Sequence, residues 1–142
     1  MTDAIVVDTS ALLAYFDASE PDHTSVAEAI DDPTNLPIVS PYVVAELDYL
    51  VATRHGVDAE LAVLTELTGG AWELASVDAD ELAHATSVIA KYRDQEIGVA
   101  DASNVVLAAR YRTRTIVTLD RRHFDVLRSI TGQPFTVLPR LT

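Results

Sequence analysis

The sequence predicts an α/β fold in three layers, a central parallel sheet flanked by helices. Three observations carry that reading. Short β-branched runs alternate with segments of helical periodicity along the whole chain. Capping residues and glycine stops bound the helical segments. The 142 residues, 49 % of them hydrophobic, supply one core, without internal repeat, low-complexity tract or linker, so residues 1–142 read as a single domain.

The elements follow in order. Ala4-Ile5-Val6-Val7 reads as a buried strand. Thr9 or Ser10 caps a helix that carries Leu12, Leu13 and Phe16. Pro21 precedes a helix over residues 23–30, closed by Asp31-Asp32-Pro33. Residues 36–39 form a second strand. Ser40-Pro41 starts a helix that runs to residue 54 and stops at Gly56, with a capping hydroxyl followed by proline in the first turn. Asp58 opens the next helix, with Leu61, Leu64 and Leu67 on one face and Gly69-Gly70 as its stop. Residues 72–75 read as a strand, and Asp78 or Asp80 caps a helix to residue 92. Gly98 precedes a helix over residues 100–112. Residues 115–119 and 135–138 supply the last strands. Strands separated by helices form a parallel sheet covered on both faces, whose ligand crevice lies beyond the carboxyl ends of the strands.

Composition excludes several chemistries. There is no Cys, hence no disulfide, thiolate metal site or Cys nucleophile. The four His show no zinc-ligand spacing. No stretch reaches the roughly 20 apolar residues that span a bilayer, and Met1-Thr2-Asp3 lacks a basic signal flank, so a soluble cytoplasmic domain without membrane contact is expected. The net charge of −12 is uneven: residues 1–109 carry 3 Lys+Arg against 20 Asp+Glu, and residues 110–142 carry 7 Arg against 2 acids. Beyond about 10 Å at 0.1 M salt charges are screened, so a local arginine field can hold phosphate on an acidic protein or simply balance it.

Four acids occupy informative addresses. Asp8 follows the first strand and stands at the sheet's carboxyl edge, or caps the next helix. Asp120 has the equivalent address after the strand at 115–118, or is a turn acid. Asp101 lies in the first turn of its helix, where the dipole favours a carboxylate in any case; Asn104 follows one turn on and can add a neutral oxygen or amide. Glu46 lies about 100° from the centre of the stripe formed by Val43, Val44, Leu47, Leu50 and Val51, and Asp48 lies about as far off on the other side. Periodicity does not choose between them. Carboxylates that converge within a few ångströms cannot all stay ionised without a cation, and an all-oxygen set suits Mg²⁺ or Mn²⁺.

The segment Ile5-Val6-Val7-Asp8-Thr9-Ser10-Ala11-Leu12-Leu13 resembles the opening of PIN-domain nucleases. Ser40-Pro41-Tyr42-Val43-Val44-Ala45-Glu46-Leu47, Ile97-Gly98-Val99-Ala100-Asp101-Ala102 and Thr118-Leu119-Asp120-Arg121-Arg122-His123-Phe124 resemble their later blocks. Order, spacing and length together resemble the VapC toxins of bacterial toxin–antitoxin pairs. The resemblance implies the PIN-like α/β/α fold. It implies that Asp8, Glu46, Asp101 and Asp120 hold one or two Mg²⁺ or Mn²⁺ ions, and it favours Glu46 over Asp48. Asp8 and Asp101 are then the main ligands, Glu46 holds a second ion or a water, and Asp120 completes the shell. Ser10 and Thr118, like Asn104, become supporting or substrate-positioning groups, and Arg112, Arg121 and Arg122 become candidates for the RNA backbone. The implied reaction is hydrolysis of RNA phosphodiesters, in ribosomal RNA or tRNA, leaving 5′-phosphate and 3′-hydroxyl ends. The implied partners are a VapB-type antitoxin and a second copy of the chain, in a homodimer and a toxin–antitoxin hetero-oligomer. Two rivals remain at this point: a non-catalytic RNA- or protein-binding module, and aspartyl-phosphate chemistry. The latter usually requires a second acid near position 10, which is Ser, and a lysine, of which the chain has only Lys91.

Overall fold

In the computed structural model, which describes residues 2–140, five strands form one sheet, all parallel. They are β1 (Asp3–Val7), β2 (Asn35–Val39), β3 (Glu73–Leu74), β4 (Thr115–Val117) and β5 (Thr136–Leu138), in the spatial order β3-β2-β1-β4-β5. The helices are α1 (Thr9–Phe16), α2 (His23–Asp31), α3 (Pro41–His55), α4 (Val57–Leu67), α5 (Ala79–Lys91), α6 (Val99–Arg110) and the single turn α7 (Arg121–Phe124).

Each strand alternates its side chains between two cores, as period-2 geometry requires. Ile5, Val7, Val39 and Val117 face a core shared with α1, α2, α3 and α4. Val6, Ile38, Ile116 and Val137 face the other, shared with α5, α6 and Phe124. A sheet buried on both faces needs apolar residues at every strand position, which explains the continuous β-branched runs. Strand order reverses direction between β1 and β4, because the chain builds outward from β1 first through β2 and β3 and later through β4 and β5. That switch point opens a crevice at the carboxyl ends of β1 and β4.

α6 is the most deeply set helix, with every residue from Ala102 to Ala108 buried. Its alanines and serine let it lie against the sheet, α3 and α5 together. At the start of α3 Ser40 accepts a hydrogen bond from the Tyr42 amide and is itself 2.7 Å from Ser103 Oγ on α6. Since the Ser103 hydroxyl donates to the Ala100 carbonyl, Ser40 donates to Ser103. The first turns of α3 and α6 are thereby pinned to each other.

Several boundaries differ from expectation. α4 begins at Val57, and its inward line is the buried Val63 and Leu67 with the half-buried Ala59, whereas Leu61 is 56 % exposed. Of the expected leucine face Leu67 is buried and Leu64 half-buried, and Leu61 is the member turned to solvent. Asp78, and not Asp80, caps α5, in a reciprocal capping box with Glu81. The strand expected at 72–75 is reduced to Glu73–Leu74. Trp72 leaves the ladder to bury its ring beside Tyr15 and Phe16, with its Nε1 donating to Glu66. α6 ends at Arg110, two residues early, because Arg112 turns to a left-handed φ of 56° and the Thr113 amide closes back onto the Ala108 carbonyl. Among the described residues no helix is long and apolar enough to cross a membrane.

Candidate active site

The crevice at the switch point is a cavity of about 690 Å³ whose wall includes Asp8, Glu46, Asp101 and Asp120, with Ser10 and His123. Four elements supply the four acids.

Asp8 is held from both sides. Its amide donates to the Val117 carbonyl at 2.9 Å, so the residue after β1 is still tied to β4. Its carboxylate is not used to cap α1. One oxygen, Oδ2, accepts from Thr118 Oγ1 at 2.9 Å, and the other, Oδ1, accepts from Asn104 Nδ2 at 3.2 Å. Ser10 lies 3.1 Å from Thr118 Oγ1 and accepts from the Leu119 amide, while the Asp120 amide donates to Thr118 Oγ1. With the Thr118 proton directed at Asp8, Ser10 donates to Thr118. These two hydroxyls lock the turn after β4 to the turn after β1, which brings Asp8 and Asp120 onto the wall of one cavity.

The electrostatics are those of crowded acids. Asp8 is only 5 % exposed, and its pKa is pushed up from 3.8 to about 6. Burial is the largest cause and the charge of Asp101 the next; the Thr118 hydroxyl and the Thr9 amide pull it down, and Glu46 adds a further upward push. Asp101 is also raised, first by burial and then against the lowering effect of His123, with Asp120 and Glu46 pushing it up. The acids therefore sense one another across the cavity.

His123 is the residue that sequence reasoning missed. Its Nδ1 lies 3.0 Å from Asp101 Oδ2 and 3.3 Å from Asp120 Oδ2, bridging the two carboxylates. A search for paired histidines could not find it. The detectable signal was the i, i+3 spacing from Asp120 on a helical turn just after a strand.

The remaining expected residues divide. Glu46 faces the cavity, whereas Asp48 approaches Glu60 on α4, raising the pKa of Glu60. Helical periodicity put both on the flanks of α3, and the position of α6 decides between them. Asn104 is fully buried, and its Oδ1 has no partner among the described residues. The arginines are not brought to the cavity. Arg121 Nη1 donates to the Pro139 carbonyl at 3.2 Å, Arg122 is exposed outside the wall, and Arg112 lies at the far end of α6 in clefts on the opposite side of the sheet.

The donor set is fitted to a hard divalent cation. It is almost all carboxylate oxygen, two of its acids have pKa values raised first by burial and then by neighbouring carboxylates, and Asn104, whose amide donates to Asp8, has its own buried oxygen unpaired. Among the described residues no three Asp, Glu or His side chains already stand close enough to enclose an ion alone. A divalent ion held here would take one or two of these carboxylates and fill the rest of its shell with water or phosphate oxygens.

The sequence pattern of the PIN domain family matches residues 5–128. The chain belongs to the PIN domain family. This PIN domain is 68 % identical over 135 residues to Ribonuclease VapC26 of Mycobacterium tuberculosis, covering 95 % of this chain and 100 % of that protein. It stands with the VapC-type members. Its fold is shared with VapC20 of Mycobacterium tuberculosis, described as a sarcin–ricin loop cleaving toxin. The TM-score is 0.75 at 21 % identity, covering 82 % of this chain and 89 % of that one. VapBC2 of Rickettsia felis, solved bound to a DNA fragment from its promoter, superposes with a TM-score of 0.70 at 15 % identity over 94 % of this PIN domain and 98 % of that chain.

Proposed function

We propose that this PIN domain is a Mg²⁺-dependent endoribonuclease, with Mn²⁺ as a competent alternative, and the toxin half of a toxin–antitoxin pair. The observation that carries the reading is the meeting of Asp8 and Asp101 on one cavity, each with a raised pKa partly through the others' charge. Likeness to a protein named Ribonuclease VapC26 supports RNA as substrate.

In this reading Asp8 and Asp101 are the principal ligands, and Glu46 and Asp120 complete the site. The chemistry supplied by a divalent ion when bound is a lowered pKa for water and charge neutralisation on the phosphoryl oxygens. The chain's own groups do the rest. Thr118 and Ser10 keep the Asp8 carboxylate in one orientation, Asn104 holds its second oxygen, and His123 holds Asp101 and Asp120 together. No side chain acts as nucleophile, so water attacks and the products carry 5′-phosphate and 3′-hydroxyl ends. Ribosomal RNA, at a sarcin–ricin-type loop, is the favoured substrate over tRNA, and its cleavage would stop translation. The expected partners are a VapB-type antitoxin and a second copy of the chain, in keeping with the VapBC complexes that share the fold.

The test is cleavage of total RNA with Mg²⁺, with and without EDTA, followed by analysis of the new ends. 5′-Phosphate ends formed only with the metal support the proposal. Activity undiminished in EDTA, or 2′,3′-cyclic phosphate ends, would refute it. Aryl phosphate hydrolysis without RNA cleavage would point to aspartyl-phosphate chemistry instead. Lys91 argues against that rival, since its ammonium lies over the Tyr92 ring and not in the acid cavity.

A further inference from the structure

An RNA-cleaving chain with a net charge of −12 must hold its polyanionic substrate somewhere other than on its average surface. The seven arginines of residues 110–142 are the natural candidates, and the structure sorts them. Arg110 is paired with Glu81 at 2.9 Å. Arg121 is turned onto the Pro139 carbonyl, and Arg128 folds back onto the carbonyls of Asp125, Val126 and Leu127. Among the described residues, the side chains of Arg112, Arg114, Arg122 and Arg140 have no hydrogen-bond or ion-pair partner. Three of these four, Arg112, Arg114 and Arg140, line a single cleft of about 420 Å³ at the amino edge of the sheet, beside Thr136 and one acid, Asp3. An adjoining cleft of about 310 Å³ shares Arg112 and Arg114. It continues past Ser129, Thr131 and Gln133, with no carboxylate in its wall.

Arg112 adds a second observation. Its φ of 56° is the left-handed conformation that closes α6, a position where glycine or asparagine is favoured. An arginine kept there carries backbone strain that its side chain does not repay with a hydrogen bond or ion pair to the described residues.

We infer that Arg112, Arg114 and Arg140 form a second RNA-contact site, a phosphate-backbone cleft at the edge of the sheet opposite the acids. The inference rests on the ribonuclease reading and adds where flanking RNA is held. Guanidinium forks match phosphate oxygens, and such contacts position a strand without reading its sequence. Eleven residues of α6 and its closing turn separate Asp101 from Arg112, about 16 Å at ~1.5 Å per residue. That distance corresponds to about five nucleotides of stacked strand at ~3.4 Å each. A tetranucleotide engaged at the acids is too short to reach the cleft, and a long RNA is not.

The experiment has two arms. In the first, binding of a labelled single-stranded RNA to the full chain carrying Asp101→Asn is measured in EDTA over a salt series. Arg112→Gly, Arg114→Gln and Arg140→Gln combined should weaken binding about tenfold, and should flatten the slope of log K against log salt by about 2, the value for three lost phosphate contacts on a single strand. In the second, the wild-type preference for long RNA over a tetranucleotide, read as the ratio of kcat/KM values, should collapse in the triple variant. Unchanged affinity and slope overturn the cleft. So does a variant that loses binding to a poly-glutamate peptide while keeping RNA, which would assign the cleft to a protein partner. Arg112→Gly alone, which relieves the left-handed residue, guards against misfolding and should already weaken RNA binding. Failure of the wild type to cleave any RNA with Mg²⁺ would defeat the ribonuclease reading, while the EDTA arm still reports on the cleft.

Discussion

Replacing Asp8 by asparagine should stabilise the metal-free protein. Asp8 has a pKa of about 6 in the fold against an ordinary 3.8, so the folded chain takes up a proton that the unfolded chain has released. The sign follows. Nothing is lost below pH 3.8, where the carboxyl is protonated in both states, and the penalty grows as pH rises and is complete above about 6. At about 1.4 kcal/mol per pH unit, the ionised carboxylate costs the fold about 3 kcal/mol near neutrality. Asp8→Asn removes the charge and keeps an oxygen to accept from Thr118. Its new amide meets the Asn104 amide donor, and a flip of Asn104, which would use that residue's unpaired Oδ1, offsets only part of the clash. The net gain is about 1–3 kcal/mol, or roughly 4–10 °C in Tm for a chain of this size. Calorimetry in EDTA at pH 7.5 and again near pH 4 measures it. The variant should lead at the higher pH and lose its lead at the lower. Mg²⁺ should raise the wild-type Tm and leave the variant's unchanged, with RNA cleavage abolished. A variant that melts lower than the wild type at pH 7.5 in EDTA would mean that the carboxylate is structural, and the crowding argument would fail.

Three further outcomes follow from the same geometry. Thr118→Val removes the donor to Asp8 and the acceptor for the Asp120 amide. It should cost about 1–3 kcal/mol in denaturant melts and raise the Asp8 pKa above about 6 in a carboxyl NMR titration. His123→Ala removes the group that lowers the Asp101 pKa, so the acid limb of the pH–rate profile should move to higher pH, while an unmoved limb would detach His123 from Asp101. Arg112→Gly relaxes a left-handed residue and should raise thermal stability by about 1 kcal/mol, which a fall in Tm would contradict.

The parts of this molecule that were legible in its sequence are those governed by local rules. β-branched runs announced the strands because a sheet covered on both faces demands them, and Asp8 and Asp120 announced themselves by following two such runs. Ser40-Pro41 marked the start of α3 because a capping hydroxyl and a proline at the first turn act locally. What remained hidden depended on how elements meet. Glu46 and Asp48 are equivalent on an isolated helix and differ only once α6 and α4 lie on opposite flanks. Leu61 looks like core until α4 turns Val63 and Leu67 inward and leaves it in solvent. His123 gains its Asp101 partner from α6, 22 residues back along the chain. Arg112 reads as the last residue of the helix that carries Asp101, yet the length of α6 carries it to the other edge of the sheet.

The proposed activity requires Asp8 and Asp101 to share one cation. The most direct measurement is the anomalous difference map of a crystal of the isolated chain soaked in Mn²⁺. The predicted result is a peak in the acid cavity within bonding distance of both carboxylates, absent from Asp8→Asn crystals. A Mn²⁺-saturated crystal with no peak between them, or with the ion bound at some other acidic surface, would contradict it.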